Sequence, residues 1–79
     1  MDKLTALESL NALAHETRLE VFRLLVQAGA QGLPAGEVAT QLAVRQNTMS
    51  THLAILTRAG MTTKLRDGRV ISYRANFEH

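Results

Sequence analysis

Three residues, Ala43-Val44-Arg45, separate two stretches of helical periodicity, and no other feature limits the fold as strongly. Before the break, residues 35–42 place Val38, Ala39 and Leu42 on one side. After it, Met49, Leu53 and Leu56 recur at i, i+4 and i+7, an apolar stripe on a second helix. Two short helices joined by so few residues form a helix-turn-helix. Gln46, Asn47, Ser50 and Thr51 lie off the stripe near the start of the second helix. Their uncharged side chains donate and accept hydrogen bonds, which suits a polar partner. Taken alone, that surface fits an ordinary solvated helix face equally well, so the flanking sequence has to decide. Ala43 occupies the turn position where glycine would sit most comfortably. The backbone there is either slightly strained or avoids positive φ.

The chain before residue 35 is largely helical. In residues 2–13, Leu4, Leu7, Leu10 and Leu13 recur every third position, with Asp2 suiting the positive end of the helix dipole. So leucine-rich a terminal helix packs on the core of a monomer or supplies the seam of a dimer. His15-Glu16-Thr17-Arg18 marks a short restart. Residues 16–28 then read as a helix with Leu19, Phe22, Leu25 and Val26 on one face, widened by Val21 and Leu24, and Gly29 as its stop. Pro34 fits just before or at the first turn of the 35–42 helix.

The period changes after the stripe-bearing helix, which ends near Ala59-Gly60. Residues 61–66 and 70–74 are rich in β-branched side chains and flank Asp67-Gly68, a strong hairpin signal. A lone hairpin is marginal, so this one must lie against the helices, with Ile71 and Tyr73 facing inward. Arg66 and Arg69 bracket its tip.

Charge divides within the same region. Residues 1–44 carry three bases and five acids, a balance of −2. Residues 45–79 carry six bases and two acids, a balance of +4. A basic half beside a neutral-to-acidic half suggests one surface facing a polyanion and another facing a partner. Seventy-nine residues suffice for one small domain with a thin core, and a dimer partner is a natural source of further buried surface. The sequence holds no cysteine, which excludes disulfides, thiolate metal sites and thiol nucleophiles. His15 and His52 have no ligand-spaced partner, so no metal site is expected in this chain. No signal peptide and no long apolar run is apparent, and a cytoplasmic protein without a membrane partner is the expectation. No acid pair at useful spacing and no glycine-rich phosphate loop is present, so an enzyme is not expected.

Helix-turn-helix followed by a basic hairpin is a winged helix, and the residues now match a family. Leu13-Ala14-His15-Glu16-Thr17-Arg18-Leu19, then residues 42–53, then Leu56-Thr57-Arg58-Ala59-Gly60-Met61, then Arg66-Asp67-Gly68-Arg69 and Tyr73 resemble the ArsR/SmtB family of repressors. The likeness runs from about residue 4 to 76. It implies a mainly α fold with a small β-hairpin, a winged helix-turn-helix of order α-α-α-α-β-β. Within a single 1–79 domain, 1–14 would be an N-terminal dimerisation helix, 35–59 the helix-turn-helix and 62–75 the wing. The resemblance further implies a homodimer with Leu4, Leu7 and Leu10 at its interface, bound to double-stranded DNA at a pseudo-palindromic operator.

Carried over by position, the DNA-binding residues are Arg45, Gln46, Asn47, Thr48, Ser50, Thr51 and His52, with Arg66 and Arg69 on the wing. The chemistry agrees. Glutamine and asparagine can pair with adenine and a threonine methyl can touch thymine, while arginines suit phosphates. Where the family often has serine, this chain has Arg45, so a helix cap is replaced by a base that could bind phosphate. The resemblance implies a sequence-specific repressor released by a metal or metalloid, arsenite being favoured. No cofactor is held by the chain itself. Arsenite or another thiophilic ion requires cysteines beyond residue 79, in a tail after the wing that this sequence would then lack. Two alternatives stand beside this reading: a protein-interaction or dimerisation module, and a repressor answering a non-metal signal.

Overall fold

The computed structural model describes residues 3, 7, 10–12 and 14–77. Lys3, Leu7 and residues 10–12 are helical. Leu7 and Leu10 are exposed, while Ala12 is buried in the core. Leu4, expected at a dimer interface, and Leu13 lie outside the described residues.

Helix α1 spans Glu16–Ala28. Its cap is His15, whose Nδ1 accepts the Thr17 backbone N–H at 3.2 Å, and Glu16 places an acid in the first turn. Val21 and Leu25, four residues apart, form the fully buried line. Val26, expected on the inner face, is exposed, and Phe22 is only partly covered. Packing selects an i, i+4 line, and Val26 falls beyond its edge. Gly29 closes the helix at φ 75° and leads into a 3-10 turn, Gly29–Gln31. Gly32 is required by contact: a β-carbon there would collide with the Tyr73 carbonyl oxygen.

That close approach makes a strand that the sequence did not suggest. Residues Leu33–Pro34 form a two-residue β1, paired antiparallel with β3 at Leu33↔Tyr73 and Pro34↔Ser72. The sheet is therefore three-stranded, in order β1-β3-β2, with β2 at Thr62–Asp67 and β3 at Val70–Ala75. The expected hairpin gains a third strand because the α1 connector runs along its outer edge. Pro34, which has no N–H to give a ladder, sits on that edge strand and also caps the next helix.

Helix α2 spans Ala35–Leu42 and helix α3 spans Gln46–Arg58. Both end in the same six-to-one motif. Val44 N–H reaches the Ala39 carbonyl at 3.0 Å after α2, and Met61 N–H reaches the Leu56 carbonyl at 2.9 Å after α3. The motif needs a left-handed residue. Gly60 supplies it at φ 79°, but after α2 it is Ala43, at φ 55° and ψ 43°. Of the two states open to Ala43, the chain adopts the strained one.

The core gathers Val21 and Leu25 of α1, Val38 and Ala39 of α2, and Met49, Leu53 and Leu56 of α3, with Met61 and Ala75 at the base of the sheet. The α3 stripe lies at the centre, each of its three side chains fully buried. Burying side chains of this size contributes about 1.5–3 kcal/mol apiece. The sheet base is locked to the end of α3 by polar contacts. Thr57 and Thr62 hydroxyls lie 2.8 Å apart, Asn76 N–H donates to Met61 O, and Asn76 Nδ2 donates to Gly60 O at 2.9 Å.

Candidate nucleic-acid interface

Helix α3 turns about 100° per residue, so a face opposite Met49, Leu53 and Leu56 is fixed once that stripe is buried. Asn47, Ser50 and Thr51 occupy it, all exposed. Arg45, Gln46 and Thr48 are exposed as well. Arg45 is the helix cap by position but makes no capping bond with its side chain. Asn47 substitutes for it: its Oδ1 accepts the Thr48 backbone N–H at 2.8 Å. Thr51 Oγ1 donates to the Asn47 carbonyl at 3.3 Å. The Gln46 amide lies along α2, where a β-carbon on Gly36 would stand 3.7 Å from Nε2. The helix thus offers Gln46, Ser50 and the Nδ2 donor of Asn47, while the Asn47 acceptor is already engaged.

His52 is placed differently from the other expected contact residues. It lies on the flank of the buried stripe, and its Nδ1 is buried without a hydrogen-bond partner. Its ring stands 4.9 Å from that of His15, tilted by 51°. Burial, followed by the neighbouring His15 and Arg18, lowers its pKa below the usual 6.5. This side chain belongs to the junction of α1 and α3 rather than to the open polar face.

The wing turn is displaced by one residue from the Asp67-Gly68 expectation. Asp67 pairs with Val70 inside the ladder, and the two loop residues are Gly68 and Arg69. Gly68 has φ 63° while Arg69 keeps an ordinary φ, the pattern of a type II′ turn. A β-carbon at Gly68 would meet nothing within 4 Å, so glycine serves the backbone angle there. The two arginines diverge in role. Arg66 Nε donates to the Gly68 carbonyl at 3.4 Å and holds the turn, whereas Arg69 sits exposed at the tip. Tyr73 packs against the core, but Ile71, also expected to face in, is exposed with Val70 near the tip. The outer half of the hairpin simply projects past the helices.

Two bases that the sequence did not single out flank this surface. Arg58, Lys64 and Tyr73 line a shallow concavity between α3 and the sheet. Lys64 pairs across the ladder with Tyr73, a register that becomes visible only once the turn is placed. Among the described residues no group of three or more His, Cys, Asp or Glu side chains could hold a metal ion. No helix there is long and apolar enough to cross a membrane.

A model of the helix-turn-helix domain family matches residues 13–64, which covers α1, α2, α3 and the start of the wing. A Halobacterium salinarum protein named for the arsenical resistance operon repressor ArsR is 38% identical over 65 residues. The chain belongs to the ArsR family of winged helix-turn-helix proteins. That match takes in 82% of this ArsR-type chain and 50% of the relative, so the chain spans half the relative's length. HlyU from Vibrio cholerae superimposes with a TM-score of 0.82 at 29% identity, covering 96% of this chain and 82% of HlyU. A homodimeric winged helix-turn-helix DNA-binding domain from Mycobacterium bovis superimposes at 0.81 and 29% identity, covering 94% and 66%.

Proposed function

We propose that this ArsR-type chain is a DNA-binding transcriptional regulator, acting as a homodimeric repressor in the cytoplasm. One observation supports this most: the polar leading face of α3 is wholly exposed while its back is fully buried, beside a wing with Arg69 at its tip. Such a helix can enter a major groove while the arginine reaches phosphate or minor groove. Gln46 and Ser50 would read base edges. Asn47 would donate through Nδ2, and pairing with adenine through both amide atoms would first require release of the Thr48 N–H. Arg45, Arg66 and Arg69 would add affinity through phosphates, Arg66 also by shaping the turn.

The dimer rests on the homodimeric Mycobacterium bovis domain and on the exposure of Leu7 and Leu10 in the N-terminal helical residues. Two recognition helices in successive grooves call for half-sites about one helical turn apart. The inducer is carried by resemblance and by the arsenical-resistance name of the halobacterial relative. With no cysteine in these 79 residues, arsenite would need thiolates outside them.

Selection of bound duplexes from a random pool, followed by fluorescence anisotropy across salt, tests the reading. A selected, pseudo-palindromic duplex is expected to bind with affinity falling steeply as salt rises, by a log–log slope of about 0.9 per phosphate contacted. Affinity that stays flat with salt, or a pool with no enriched sequence, would overturn it in favour of a protein-interaction module.

A further inference from the structure

A second concavity lies where α1, α3 and the N-terminal helical residues meet. A cleft of about 340 Å³ opens there, lined by Asn11, Ala12, Arg18, Ile55, Arg58 and Ala59. That is within the size range of small-molecule sites, about 300–1,000 Å³. Its lining is divided. Ala12, Ile55 and Ala59 form an apolar wall, and two guanidinium groups and one amide stand around it. The two arginines come from different elements, Arg18 from the first turn of α1 and Arg58 from the last turn of α3.

Among the described residues no carboxylate pairs with Arg18 or Arg58. Arg18 Nε is buried and has no hydrogen-bond acceptor, although a buried donor is almost always satisfied. His52, whose ring stands 4.9 Å from that of His15, feels the Arg18 charge. A buried donor without an acceptor, beside a second guanidinium that no carboxylate among the described residues pairs, makes a site suited to an anion. Guanidinium forks match the planar, two-oxygen geometry of a carboxylate. The apolar wall adds a requirement that bare phosphate or sulfate would not meet.

We propose that this cleft binds a small carboxylate with an apolar body, its carboxylate between Arg18 and Arg58 and its body against Ala12, Ile55 and Ala59. The site joins the fixed end of α1 to the C-terminal end of α3, so its occupant touches the helix whose other end carries Gln46 and Ser50. Occupancy is measured on the protein alone, so its failure is separate from failure of the DNA-binding reading.

Benzoate is a suitable probe, titrated into the 79-residue chain and followed by amide chemical shifts. Saturable shifts are expected at Asn11, Arg18 and residues 55–59. Arg58→Gln, at an exposed helix end, and Arg18→Lys, which keeps the charge but loses the fork, should each weaken binding about tenfold, the effect of one charged hydrogen bond. Arg69→Gln on the wing should leave it unchanged. Benzamide, neutral and of the same shape, should not bind, and inorganic phosphate should bind more weakly than benzoate. Equal binding of benzamide would overturn the anion site, and equal binding of phosphate would overturn the apolar one. Shifts that scatter over the surface, or survive Arg58→Gln intact, would overturn the proposal without dependence on any variant folding poorly. Perturbation of Arg18 and Arg58 by duplex DNA but not by benzoate would make them backbone contacts instead.

Discussion

Ala43 ends α2 in the same hydrogen-bonded turn with which Gly60 ends α3, at φ 55° and 79° respectively. The backbone geometry is shared, but the steric cost is not. A β-carbon in the left-handed region costs about 1–2 kcal/mol. Glycine would return about 0.4–1 kcal/mol of that through the freer unfolded chain. Ala43→Gly is therefore expected to stabilise the fold by about 0.5–1 kcal/mol. For a domain this small that raises Tm by several degrees, about 4–8 °C per kcal/mol. A thermal melt followed by circular dichroism checks it, and a lower Tm would mean that the strain is not where the backbone angle places it.

His52 makes stability depend on pH. His52 has a folded-state pKa below 6.5, so as pH falls the unfolded chain takes up the proton first. The contribution of neutral His52 is fully present above about pH 6.5 and is lost as pH falls through the unfolded and then the folded value. Urea midpoints should fall between about pH 7.5 and about pH 5.5, and His52→Gln should flatten that fall. An equally steep fall in the variant would assign the pH dependence to other groups.

The Thr57–Thr62 contact is a test of how the wing is held. Thr62 is 3% exposed and the two hydroxyls are 2.8 Å apart. Replacing one partner with valine leaves the other hydroxyl short of its bond, at a cost of about 1–2 kcal/mol, while replacing both is close to neutral. Chemical denaturation of Thr57→Val, Thr62→Val and the double variant gives the coupling energy. Strictly additive losses would show that the two hydroxyls do not rely on each other.

On DNA, Gln46→Ala or Ser50→Ala should weaken operator binding more than binding to random duplex, by about 1–3 kcal/mol for a lost base contact. Arg69→Gln should weaken both alike and reduce the salt slope by about 1. Arg66→Gln is expected to reduce affinity as well, but also to loosen the Gly68 turn, visible as faster amide exchange at the tip. Anisotropy titrations on both duplexes separate the cases. Equal losses at Gln46 on operator and random DNA would remove it from base reading.

By itself the sequence determined the helices, the buried stripe and the place of the polar face. Met49, Leu53 and Leu56 announce their burial by spacing alone, and once they are buried the exposure of Asn47, Ser50 and Thr51 comes from helical geometry. The basic hairpin was legible too, since Gly68 and the flanking β-branched residues are local signals. What the tertiary structure decided involves residues far apart in sequence. The β1 edge strand exists because Leu33 meets Tyr73, and two residues carry no period from which to infer a strand. His52 is drawn from the expected contact face to His15, far back in the chain, and Asn47 is committed to capping because Arg45 leaves the Thr48 N–H open. The Arg18–Arg58 cleft is likewise an encounter between the start of one helix and the end of another. Periodicity records how each element meets its own neighbours, but only packing brings distant side chains together, and the candidate anion site is made wholly of such meetings.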